Sequence, residues 1–196
     1  MTHSLTAPTA EDTSYIQDTL GRVPRGIIAV SARDPKGTPI ALKMECVVGK
    51  TPFPTHFWLC HDVLIEKINY LESQRIVKPL EKLIEDNLTF QEAFKNDQLR
   101  YQALRNKELT PEGIVFLKSI GIYEEFTVGR GIGGIENFTK VRCLHMQVAH
   151  LVSDDNQVGQ WLEKHFSILD FEETLTDFRQ RLKSQGLIED AFQKSL

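Results

Sequence analysis

The residues with the most chemistry per unit length are Gly129-Arg130-Gly131-Ile132-Gly133-Gly134 and the segment Lys140-Val141-Arg142-Cys143-Leu144-His145 beyond them. Together they hold four glycines, three cations, a thiol and an imidazole. Glycines at this density let backbone N–H groups approach an anion, and a helix starting just after them adds unpaired donors and a favourable dipole. Gly131, Gly133 and Gly134 are the candidate backbone cradle, and Arg130, Lys140 and Arg142 the candidate clamps. The ligand this pattern predicts is a phosphorylated or otherwise anionic small molecule. Lys140 and Arg142 in a first helical turn oppose the dipole, at ~0.3–1 kcal/mol each when exposed, and a bound anion relieves that conflict. A thiol between cations at a helix start is favoured as thiolate. Cys143 is therefore the candidate nucleophile and His145 the candidate acid/base.

Two stronger phosphate motifs are excluded. Gly129-x-Gly131-x-x-Gly134 has the letters of a dinucleotide fingerprint, but Ile135-Glu136-Asn137-Phe138 separates it from the next helix, and no buried strand follows. No Gly-Lys-Ser or Gly-Lys-Thr loop is present. A metal is the second chemistry to consider. On a helix spanning this region, Cys143 and His150 lie ~10 Å apart along the axis, too far to share an ion. Cys143 and His145 can share one only if the helix begins late, and such a site needs a further ligand from elsewhere. The plain alternative is a non-catalytic interaction module in which the thiol and imidazoles are core.

Net charge is −4 over 196 residues, with 41% hydrophobic and 26% charged positions, as in soluble globular proteins. Residues 126–150 carry Arg130, Lys140 and Arg142 against Glu136, a local balance of +2. That island suits a small anion and is too small for a duplex nucleic-acid footprint. No apolar run approaches a membrane span. The three cysteines, Cys46, Cys60 and Cys143, form no close pair, which predicts a reducing, cytoplasmic setting.

The elements that must position these residues follow from local pattern. Residues 1–13 read as a disordered leader, and 14–196 as a single α+β domain. Its expected architecture is a small N-terminal antiparallel sheet of about three strands packed by a mostly helical remainder. Gly26 to Ser31 and Ile40 to Val48 flank the turn Asp34-Pro35-Lys36-Gly37 and make a hairpin, with His56 to Cys60 as the third strand. Leu64, Ile65, Ile68 and Leu71 stripe a helix capped by Asp62; Pro79, Thr89 and Thr110-Pro111 open three more. Asn137 or Thr139 caps a helix reaching about Val152, another runs from Gln157 to Phe166, and Asp170 opens the last.

Three blocks carry a family resemblance: Thr51-Pro52-Phe53-Pro54-Thr55-x-Phe57-Trp58-Leu59, Val141-Arg142-Cys143-Leu144-His145, and Asp155-Asn156-Gln157-Val158-Gly159. With the Arg22-Val23-Pro24-Arg25-Gly26 entry, they resemble the bacterial domain-of-unknown-function family 501 over roughly residues 20–162. The resemblance brings no activity. Many members show a Cys-Pro-Cys-Gly turn where this chain has Asp34-Pro35-Lys36-Gly37, and Thr-Cys-Pro where it has Cys60-His61-Asp62. With the Cys-Leu-His block, those members resemble a cysteine-rich metal site. Here a closed four-ligand zinc or iron–sulfur site is not expected, since lysine replaces a thiolate. The set the resemblance leaves for zinc or another transition metal is His61, Cys143 and His145, joined by Cys60 or Asp34.

Overall fold

The computed structural model describes residues 5–188. The first helix, α1 (Ala10–Leu20), begins inside the expected leader. Thr9 and Asp12 form a reciprocal capping box there, and Thr6 bridges to Val30. Residues 1–4 of that leader lie outside the described residues.

The expected hairpin is β1 (Ile27–Arg33) and β2 (Pro39–Met44). Val47–Val48 (β3) and Thr51–Pro52 (β4) make a separate two-stranded ribbon, and β5 (Phe57–Leu59) adds to β2. The main sheet is antiparallel in the order β1-β2-β5, which leaves β5 at an edge. Ala29 to Ala32 are all buried, so β1 is covered on both faces. Ile16 of α1 packs on one face with Val30, Leu42, Met44 and Cys60. The other face, with Ala32, Ala41, Phe57 and Leu59, belongs to the large helical core. Val30 and Ala32 join different clusters because the register shifts between them. A shift of one residue exchanges the faces of everything beyond it.

The helical remainder is α2 (Asp62–Ser73), α3 (Val77–Asp86), α4 (Leu88–Lys107), α5 (Pro111–Ser119), α6 (Leu144–Ser153), α7 (Gln157–Phe166) and α8 (Leu175–Ser184). The class is α+β, with the sheet near the N-terminus. No helix among the described residues is long and apolar enough to cross a membrane. Caps sit where side chains reach free amides: Asn87 bonds Phe90, Thr110 bonds Gly113, Asn156 bonds Gly159 and Thr174 bonds Asp177. Asp170 instead accepts from Glu172 and Glu173 in the preceding turn, so the last helix starts later than its sequence signal. The largest shift of boundary is in α6, which begins at Leu144 and not near Asn137.

Asp12 links α1 to the sheet. Arg33 Nη1 and Nη2 donate to its two oxygens at 2.7 and 2.8 Å. The Arg33 guanidinium holds the Asp12 carboxyl down to about 2, from an ordinary 3.8. A depressed carboxyl contributes stability that is complete above its unfolded pKa and is lost as pH falls through the folded one. Asp12→Asn should therefore cost about 2 kcal/mol at neutral pH. Urea denaturation should show that deficit shrinking as pH falls from about 4 toward 2. A deficit unchanged across that range would mean that the charge of the pair stabilises nothing.

Candidate functional site

The late start of α6 follows from where the amides of residues 139–144 are bonded. Thr139 N–H donates to Asn137 Oδ1 and Lys140 N–H to the Asn137 carbonyl, closing a local turn. Val141 N–H donates to Glu81 Oε1 of α3 at 2.8 Å, and Leu144 N–H to Glu72 Oε1 of α2 at 2.7 Å. Amides satisfied outside the helix have no need of its first turns. Cys143 is left as the N-cap residue in an extended conformation, φ −158° and ψ 129°.

That bend brings Cys143 and His145 together. Cys143 Sγ lies 3.5 Å from His145 Nδ1, and Glu72 Oε1 lies 3.5 Å from the same nitrogen. All three donor atoms fall within 4.8 Å of one another, and all three residues are half-buried. Burial works against a charged His145 ring, but hydrogen bonds to Cys143 and Glu72 outweigh it and hold its pKa up to about 9. Burial also opposes the Glu72 carboxylate, yet the bonds from His145 and the Leu144 amide win and keep it below the usual range.

The geometry separates two kinds of chemistry. In a nucleophile–histidine–acid triad, nucleophile and carboxylate bind opposite ring nitrogens, so that one proton is passed while the other is held. Here thiol and carboxylate converge on a single nitrogen. Convergence is what a metal requires. For tetrahedral N, O and S ligands at the usual zinc distances, neighbouring donors stand about 3.3–3.6 Å apart. The separations at His145 match those edges.

The cluster opens onto a cavity of about 330 Å³. Phe53, Trp58 and Leu20 line it from the α1 side of the sheet, and Phe57, Leu59 and Met146 from the other. Lining from both faces places the cavity along the outer edge of β5. Thr55, Cys143 and His145 supply its polar wall. The Phe-Trp-Leu and Cys-Leu-His blocks thus meet at one place.

The other expected site residues lie elsewhere. His61 is 4% exposed, with Nε2 3.6 Å from Asp34 and Nδ1 3.5 Å from Asp62. Its ring neighbours are Tyr15 and Phe171, so it stands outside the Cys143–His145 cluster, and burial lowers its pKa. Cys60 is buried, with Sγ toward the Pro39 carbonyl at 3.6 Å. His150 is buried against Phe57 and Tyr101.

The proposed anion clamps already have partners. Arg130 pairs with Glu125 and Glu136 and donates to the Gly134 carbonyl. Lys140 lies between Glu85 at 2.7 Å and Glu81 at 3.5 Å. Exposed Arg142 donates to the Gly133 carbonyl at 3.3 Å, and neither cation is in the first turn of α6. The amides of Gly131, Ile132 and Gly134 bond Ile135, Gln98 and Gly131 within the protein. A Cβ at Gly133 would stand 2.6 Å from Met146 Sδ, and one at Gly131 would stand 2.3 Å from Gln98 Oε1. These glycines are there for close packing, and Gly133 also has φ +70°.

Sequence reasoning missed Glu72. Its one local signal is an acidic side chain in the last turn of α2, where the dipole disfavours it, pointing to a partner outside that helix.

The site so defined is a thiol–imidazole–carboxylate cluster at the mouth of an apolar cavity, in an α+β protein. The model of the family described as Protein of unknown function (DUF501) matches residues 30–164, more than half of the chain. The chain belongs to that family. No curated protein and no solved structure matches it.

Exposure ranks the thiols. Cys143 is half-exposed in the cavity wall, whereas Cys46 and Cys60 are buried. Burial pushes the Cys46 thiol up to about 12 and raises that of Cys60 as well. Limiting iodoacetamide at neutral pH should modify Cys143 at least about tenfold faster than either. Peptide mapping in which Cys46 reacts first would contradict this ordering.

Proposed function

We propose that this protein binds a transition metal of the zinc class through Glu72, Cys143 and His145, with the fourth position facing the cavity. The observation that carries this reading is the approach of Sγ and Oε1 to one nitrogen, each at 3.5 Å. Thiolate, imidazole and carboxylate are the borderline-soft donor set that zinc and its neighbours prefer. A bound ion also resolves the electrostatics. It takes the place of the proton on Nδ1, displaces the proton of the Cys143 thiol and neutralises the Glu72 carboxylate. Three protein ligands with one open position are the arrangement of reactive metal sites, whereas structural zinc is closed by four. The free thiols Cys46, Cys60 and Cys143 suit a reducing compartment, for which we propose the cytoplasm.

The alternative ligand, a phosphorylated small molecule on the glycine loop, has less support. Three of the loop amides are bonded internally, and a carboxylate of the protein already occupies the α6 N-terminus. Two cations remain near the loop surface, so the readings can be separated by mutation.

Cobalt(II) added to the metal-free protein should give visible d–d bands and a thiolate-to-metal charge-transfer band with one ion per chain. Cys143→Ser should abolish the charge-transfer band, and Glu72→Gln and His145→Ala should each weaken binding at least about tenfold. Lys140→Ala and Arg142→Ala should leave the titration unchanged. A wild-type protein without the band, or one whose band survives Cys143→Ser, would refute the site. A phosphate-induced thermal shift abolished by Lys140→Ala would favour the loop instead.

A further inference from the structure

We infer that the cavity beside the cluster is the ligand pocket of that metal, and that its ligand is an uncharged aromatic small molecule presenting a neutral carbonyl oxygen to the ion. The inference rests on the metal reading above and adds the class of molecule.

Shape and lining set the body of the ligand. An apolar cavity of roughly 150 Å³ accepts a benzene ring, so about 330 Å³ accommodates a ring with a short substituent. Phe53 and Trp58 stack at 5.6 Å and 26° on one wall, and Phe57 lines the cavity from the other side of β5. Flat aromatic walls favour a flat aromatic guest in offset or edge contact. Two elements of one covalent segment, the loop before β5 and β5 itself, supply all three rings.

Charge sets the head of the ligand. A divalent ion held by the Cys143 thiolate, the Glu72 carboxylate and a neutral His145 is already balanced at zero. An anionic fourth ligand would leave a net negative charge against an apolar wall, and burying an uncompensated charge is costly. No Lys or Arg lines the cavity. The nearest cations in sequence are engaged elsewhere, Lys140 on Glu81 and Glu85 and Arg142 on the Gly133 carbonyl. A carbonyl oxygen brings a lone pair without a charge. The Thr55 hydroxyl is a further polar group on the lining, available to a carbonyl or amide group.

Benzamide and benzoate, which differ chiefly in charge, are the probes. In the cobalt-loaded protein, benzamide should shift the d–d bands saturably and quench the fluorescence of Trp58. Benzoate should do so at least about tenfold more weakly. Ile65→Trp, which fills the cavity from α2, should abolish the response to benzamide while the thiolate charge-transfer band remains. Thr55→Phe serves the same purpose if Ile65→Trp does not fold. With the band present, a benzoate response equal to or stronger than that of benzamide overturns the inference and leaves the metal site standing, as does the absence of any response. So does a benzamide response unchanged in the filled-cavity variants. Absence of the band in the wild-type protein removes the metal site, and this inference with it.

Discussion

The hydrogen bond from the Leu144 amide to Glu72 Oε1, 2.7 Å long, organises the site. It puts a carboxylate at the positive end of α6, an arrangement worth up to about 2 kcal/mol when partly buried. It also relieves α2, which otherwise ends on an acidic residue at its negative end. Two helix ends, each unfavourable alone, satisfy one another. Because the amide of Leu144 is bonded outward, the chain stays extended through Cys143, and the thiol turns back to the imidazole two residues on. Together with Glu81, which takes the Val141 amide, Glu72 holds α6 to its late start.

That contact depends on α2 being held in place. Lys67, buried on the same helix, pairs with Glu173 at 3.2 Å and donates to the Asp170 carbonyl at 2.5 Å. Arg181 holds the other side of Glu173 at 2.7 Å. Burial lowers the Lys67 pKa, and the Glu173 carboxylate partly offsets that loss. A buried ammonium is tolerated because it is both paired and hydrogen-bonded. On the opposite side of the site, α6 lies against the sheet, where Ser153 Oγ meets Ser31 Oγ at 2.7 Å. The small residues Ala32 and Ala41 are buried in the same core as α6. The cluster is thus built between two anchored helices, and its cavity is closed by the short edge strand β5.

The glycine-rich loop shows how one composition serves two ends. Glycine permits both a backbone cradle for phosphate and a close approach of packed neighbours. Met146, whose sulfur would meet a Cβ at Gly133, also lines the cavity. The loop therefore shapes the pocket from behind. Arg130 and Lys140 are engaged with carboxylates, and Arg142 with the Gly133 carbonyl.

Much of the fold was legible in the chain because its signals are local. The hairpin around Asp34-Pro35-Lys36-Gly37, the Thr110-Pro111 helix start and the Gln157–Phe166 helix each depend on a few consecutive residues. The Cys143–His145 pair was legible only as a condition, that the helix begin late. Tertiary structure decided whether that condition holds, because the deciding acceptors are Glu81 and Glu72, 60 and 72 residues from the amides they bind. It also decided that His61 lies beside Asp34 and not beside the thiol, since the hairpin and α6 fix those side chains in different surroundings. Periodicity and capping report what a segment does with its own hydrogen bonds. They carry no information on a carboxylate that arrives from another helix, and here that carboxylate makes the site.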